Sequence, residues 1–246
     1  MTERLNAYIN SLDKGNSEFL NRIEREAHKQ YVPIIRPETQ RFLKLILAMQ
    51  KPERILEIGT AVGFSTLLLA EYNPVPCKIV TIENYEKRIP LARANFEKAG
   101  RTEQITLLAG DARIVLPSLR ESFDFIFLDA AKGQYIHFLP ELIRLLADGG
   151  TLVSDNVLQE GDVIESHFAV TRRNRTIHKR MRAYLYEVMH HEELTGDVLP
   201  IGDGLAVCTR KRKEKASECP GTNTKKETGT GGADEASGIA ASGKQP

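Results

Sequence analysis

The chain has 246 residues, 41% of them hydrophobic, no tryptophan and a net charge of +1. That suits one globular domain with a single sizeable core plus a tail, and it excludes a polycation whose average charge alone would hold nucleic acid or an anionic membrane. No run of about 18 apolar residues is present to cross a membrane, "MTERLNAYINSLDKGN" lacks the apolar centre of a secretory signal, and Cys77, Cys208 and Cys219 have neither CxxC nor zinc spacing, so a soluble cytoplasmic protein with reduced thiols is expected.

Residues 1–50 read as helical throughout, with Pro37 where a helix begins and Phe42, Leu43, Ile46 and Leu47 on a buried face. They are expected to cap a sheet or to form a dimer surface. Strand-like apolar runs follow: "RILEI" 54–58, "KIVTIE" 78–83, "ITLLA" 105–109, "FDFIFLD" 123–129, "TLVSD" 151–155 and "GLAVCTR" 204–210. Helical segments near 64–72, 85–99, 134–147 and 160–190 separate them, with Pro, Gly and Asn at the boundaries. Continuous apolar strands alternating with helices predict a doubly wound α/β fold, a parallel sheet covered on both faces. "VLPIGDGLAV", 198–207, reads as two β runs joined by Gly-Asp-Gly, a terminal antiparallel hairpin. From residue 212 the chain turns to Gly, Ser, Thr, Lys and Glu, so the domain is expected over 1–211 and a disordered tail over 212–246.

"LEIGTAVGFS", Leu56 to Ser65, follows a strand and opens a helix, with Gly59 and Gly63 allowing close approach to a ligand. Its G-x-x-x-G spacing departs from the G-x-G-x-x-G of pyrophosphate binding, and Glu57 beside it repels phosphate and welcomes an ammonium group. A tight turn with no ligand is the competing explanation. The second strand ends in Glu83, about 20 residues beyond the glycines, where an acid commonly takes both hydroxyls of a ribose. With Gly110, Asp111 and Ala112 after the third strand, these features point to a nucleoside ligand without pyrophosphate, the chemistry of S-adenosylmethionine.

Those residues, extended by "VPI" 32–34, "AAKGQY" 130–135, "DNVL" 155–158 and "GDGLA" 202–206, resemble the class I S-adenosylmethionine-dependent methyltransferases, within them the metal-dependent O-methyltransferases of the catechol and caffeoyl-CoA type, and among these the bacterial tRNA 5-hydroxyuridine methyltransferases. The resemblance implies a Rossmann-like sheet of seven strands with the last antiparallel, a methyl donor against Ile35, Glu57, Gly59, Gly63, Ser65, Glu83, Gly110, Asp111, Ala112 and Asp129, and a homodimer. It also implies Mg²⁺ or Mn²⁺ at Asp129, Asp155 and Asn156. Three hard oxygen donors at neighbouring strand ends suit such cations and disfavour zinc; the alternative is that Asp155 and Asn156 cap the next turn. Lys132 stands where the family carries a catalytic lysine, as a proton acceptor or as a charge beside an oxyanion.

"TRRNRTIHKRMR", 171–182, holds Arg172, Arg173, Arg175, Lys179, Arg180 and Arg182 and no acid. A solvated helix face usually mixes signs, so this stretch reads as a footprint for tRNA phosphates. The expected activity is methylation of 5-hydroxyuridine at the tRNA wobble position. Its rivals are a small-molecule O-methyltransferase acting on catechols or caffeoyl-CoA-like phenolics, which shares the same donor and metal residues, and a non-catalytic RNA-binding module, for which the basic stretch alone would suffice.

Overall fold

The structure, a computed structural model, describes residues 2–212. The expected tail lies outside the described residues apart from Arg212. Seven strands form one sheet in the order β3-β2-β1-β4-β5-β7-β6: β1 Arg54–Ile58, β2 Lys78–Glu83, β3 Ile105–Ala109, β4 Phe123–Leu128, β5 Leu146–Ser154, β6 Leu194–Leu199 and β7 Leu205–Arg210. The first five pair in parallel, while β7 runs antiparallel to both β5 and β6. The predicted doubly wound sheet with one antiparallel strand is therefore present.

The apolar runs are continuous because both faces of the central strands are covered. In β4, Phe125 and Phe127 point to one side and Ile126 and Leu128 to the other, and all four are fully buried. The phenylalanine side packs with α2 (Glu18–Lys29), α3 (Pro37–Gln50), α4 (Phe64–Tyr72) and α5 (Ile89–Lys98), through residues such as Leu20, Leu43, Leu68 and Phe96. The opposite side packs with α6 (Ala112–Ser118), α7 (Tyr135–Leu145) and α8 (Arg175–His190), through Leu116, Leu142 and Tyr184. Truncating either phenylalanine to alanine costs about 3–5 kcal/mol in such a core.

Four local expectations are corrected. Residues 1–50 are not one helical run: α1 (Thr2–Ser11), α2 and α3 are separated by residues 12–17 and 30–36, with Ser17 capping α2 by accepting from Leu20 N at 3.3 Å. Pro37 does open α3. Helix α6 went unread, since its seven residues include Pro117 and carry too short a pattern. Strand β5 starts at Leu146 rather than 151, and the register shifts between Phe123 and Phe125 where Gly149 adopts φ +79°. Finally, 160–190 is not one helix. A 3-10 turn, Gln159–Ile164, in which Gln159, Glu160 and Gly161 take positive φ, is followed by irregular chain up to Asn174.

Candidate active site

A cleft of about 730 Å³ opens at the carboxyl ends of the parallel strands, the place where open α/β sheets bind ligands. Its floor is the loop after β1. Gly59 has φ +107°, and a Cβ there would collide with the main-chain oxygen of Asp129, so no other residue lets β1 and β4 deliver their loops this close. Asp129 N donates to Ile58 O at 2.9 Å and Gly59 N to Ile82 O at 3.0 Å, which ties the two loops to their strands.

On one side the cleft is polar and suited to a nucleoside. Glu83, at the end of β2, is buried, accepts from Ala61 N at 2.7 Å on one carboxylate oxygen and from Asn84 N at 3.0 Å and Tyr85 N at 2.8 Å on the other, and lines the cleft wall. Gly110, Asp111 and Ala112 line the same wall. Asp111 caps α6 by accepting from Arg113 N at 2.9 Å, and the Arg113 guanidinium beside it holds its carboxyl below the usual range. Ile34, Ile35 and Ser65 complete the wall.

Two expected donor residues sit elsewhere. Gly63, φ +84°, opens α4 against the ring of Phe96 and does not line the cleft. Glu57 is fully buried behind the loop, where Thr66 and Thr81 both donate to its Oε2, and its Oε1 has no partner. Burial pushes this carboxyl up to about 7. Strand alternation explains the placement: Glu57 pairs in register with Thr81 inside the sheet, so it supports the loop without facing a ligand.

At the other end of the cleft Asp129, Asn156 and Lys132 converge, with Asp155 fully buried behind them and not lining it. Lys132 Nζ donates to Asn156 Oδ1 at 2.7 Å and lies 3.7 Å from Asp129 Oδ1. Asp155 Oδ1 accepts from Asn156 N at 2.7 Å, while Asp155 Oδ2 is buried with no partner. Asn156 sits at φ +57°, a left-handed conformation that aims its side chain at the lysine. Burial and the like charge of Asp129 hold the Asp155 carboxyl above its ordinary range; burial also raises Asp129, against the opposing charge of Lys132. Among the described residues no trio of His, Cys, Asp or Glu gathers at metal spacing. The third donor here is an amide oxygen, and a set of hard oxygens containing one orphaned buried carboxylate atom fits a divalent cation of the magnesium class.

Several neighbours escaped sequence reading. Thr39 lies on the buried side of α3, 3.4 Å from Asp155 Oδ1; a polar residue among the apolar positions of that helix was the available signal. Tyr135 is fully buried and donates toward Asp155 O at 3.1 Å. Arg36 and Glu160 pair at 3.2 Å across 124 positions, both lining the cleft.

The six basic residues of 171–182 do not line the cleft. Arg172, Arg173, Lys179 and Arg182 are exposed, and none of the six pairs with an acid among the described residues. Arg180 joins them to the site by donating to Gly133 O at 3.1 Å, next to Lys132. Among the described residues no helix is long and apolar enough to cross a membrane.

A family model described as O-methyltransferase matches residues 10–211. The chain is 34% identical over 185 residues to caffeoyl-CoA O-methyltransferase 1 of Eucalyptus globulus, a match covering 69% of this chain and 71% of that protein. It is 34% identical over 137 residues to catechol O-methyltransferase of Niastella koreensis, covering 54% of this chain and 62% of the relative, so the match spans about three fifths of that relative's length. Among solved structures, the O-methyltransferase from Bacillus cereus in complex with SAH has a TM-score of 0.74 at 26% identity, covering 85% of this chain and 97% of that one.

Proposed function

Because the chain belongs to the O-methyltransferase family, we propose that its cleft binds S-adenosylmethionine and passes the methyl group to an oxygen of 5-hydroxyuridine at the wobble position of tRNA. Glu83 accepts the ribose hydroxyls, Ile35 and Ser65 bound the donor, and the Gly59 turn packs directly on the Asp129 backbone beneath it. Asp129, Asp155 and Asn156 would hold Mg²⁺ or Mn²⁺, which when bound polarises adjacent acceptor oxygens and makes a hydroxyl easier to deprotonate.

Lys132 then has a defined task. Its ammonium already spans Asn156 and Asp129, so it is placed to balance the acceptor's oxyanion while the acceptor is oriented toward the methyl carbon; taking up the acceptor's proton requires the neutral amine, reached only after Lys132 first releases a proton of its own. Two neighbouring oxygens are what this site asks of an acceptor, and 5-hydroxyuracil offers them in its 5-hydroxyl and 4-carbonyl; plain uracil lacks the first.

The observation that carries the choice of tRNA is the run of six cations, none paired with an acid among the described residues, anchored by Arg180 beside the Lys132 loop. A second acceptor class, a small catechol or caffeoyl-type phenol, is favoured by the names of the relatives and uses the same donor and metal residues. A methyl-transfer assay offering hydroxylated tRNA and free phenols side by side decides between them. A homodimer belongs to the same proposal, supported by Leu45 and Met49, which are 60% and 68% exposed on α3.

A further inference from the structure

We propose that the segment between the 3-10 turn and α8, residues 165–174, is a stacking platform for an unpaired base of the anticodon loop, with Phe168 as the stacking ring. This rests on the RNA acceptor proposed above. Phe168 is 84% exposed, and Ile164 beside it is 79% exposed. A single exposed apolar residue needs no explanation, but here two large ones stand exposed four positions apart on the same tethered segment.

The turn is tethered at both ends. Ala169 N donates to Ser166 O at 3.0 Å, Val170 is buried, and the imidazole of His178, buried on α8, meets Glu165 O at 3.1 Å. Arg175 Nε donates to Val170 O at 3.3 Å. The rings of His167 and Phe168 meet nearly at right angles, with centroids 5.8 Å apart and planes at 81°, and most of the Phe168 ring stays open to solvent. The backbone that carries the ring is thus held on both sides of it.

The charges nearby choose the occupant. Asp162 and Glu165 precede the ring, but the ionisable residues from 171 to 182 are six cations and His178. Single-stranded nucleic acid is held by this pairing of an aromatic face for bases with cations for phosphates. Anticodon-loop bases unstack readily, and the target must leave its stack to enter a cleft. The segment begins about ten residues after Asp155 and leads into the helix whose Arg180 donates to Gly133 O, which ties it through α8 to the loop that carries Lys132. A small phenol held wholly in the cleft has no use for this ring.

The test uses the full chain and an anticodon stem-loop RNA with 5-hydroxyuridine at the wobble position, measuring binding by fluorescence anisotropy and steady-state methylation. Phe168→Ala is expected to raise the stem-loop Kd and KM about 10-fold, as loss of one stacked base does, with an unchanged salt slope and unchanged methyl-donor affinity. Phe168→Trp is expected to restore both. Equal stem-loop affinity in Phe168→Ala and wild type overturns the platform. So does a loss that Phe168→Trp fails to restore, or a Phe168-dependent affinity for phosphatidylserine vesicles without one for RNA. A wild-type protein that methylates no hydroxylated stem-loop removes the RNA acceptor itself, and the platform with it; methylation by wild type and Phe168→Ala alike removes the platform alone.

Discussion

The main-chain oxygen of Asp129 occupies the space that a side chain on Gly59 would need. The loop carrying an acid of the reactive end and the loop beneath the methyl donor are thus pressed together, backbone on backbone. Gly59→Ala adds a Cβ that meets rigid main chain at a φ of +107°, at a cost of about 3 kcal/mol or more in overpacking and backbone strain. Denaturant unfolding is expected to show that loss, and calorimetry to show donor binding weakened at least tenfold in whatever folded protein remains. Wild-type stability and affinity would mean that the loops separate freely.

Glu57 predicts a pH signature. Its carboxyl, raised from 4.5 to about 7 chiefly by burial, binds a proton in the fold that the unfolded chain releases above about 4.5. Its contribution to stability is therefore full below pH 4.5 and is lost as the pH rises to 7. Glu57→Gln cannot ionise, so it should match wild type near pH 4.5 and exceed it at pH 8 by up to roughly 3 kcal/mol. Urea melts at the two pH values check this, and a constant difference between the proteins would contradict it.

Asp155 and Asn156 predict cation dependence. Turnover is expected to stop in excess chelator and to return with Mg²⁺ or Mn²⁺, and Asp155→Ala combined with Asn156→Ala should bind Mn²⁺ at least 10-fold more weakly by calorimetry, since two of three donors are gone. Undiminished Mn²⁺ binding by the double variant would place the cation elsewhere.

Arg172, Arg173, Lys179 and Arg180 predict a salt signature. Replacing all four by alanine should weaken tRNA binding and flatten the slope of log K against log salt by about one for each phosphate that is no longer neutralised, with methyl-donor affinity intact. An unchanged slope would show that RNA docks on another face.

The sheet was legible in sequence because strands such as "FDFIFL" are buried on both faces and so read as unbroken apolar runs. The cleft was legible because Gly59, Glu83, Gly110, Asp129 and Asn156 each sit at or just beyond the carboxyl end of a parallel strand, where topology gathers them. What stayed hidden depends on pairings distant in sequence or on backbone angles with no residue signature. Lys132 meets Asn156 across 24 positions, and Arg36 meets Glu160 across 124. The break before α8 is made partly by Gln159 and Glu160, which take positive φ although neither is a glycine, so a helical pattern was read through it. Glu57 misled for another reason: residue type indicates that an acid stands near a ligand loop, but only register with Thr81 shows that it faces inward.

The most direct measurement is transfer of labelled methyl from S-adenosylmethionine, with Mg²⁺ present, to three acceptors: tRNA carrying 5-hydroxyuridine, the same tRNA with plain uridine, and free catechol or caffeoyl-CoA. Label is predicted to enter the hydroxylated tRNA, to be absent from the unmodified one, and to reach the small phenols far more slowly. Efficient labelling of a phenol with none in the hydroxylated tRNA would contradict the tRNA assignment and leave a small-molecule O-methyltransferase.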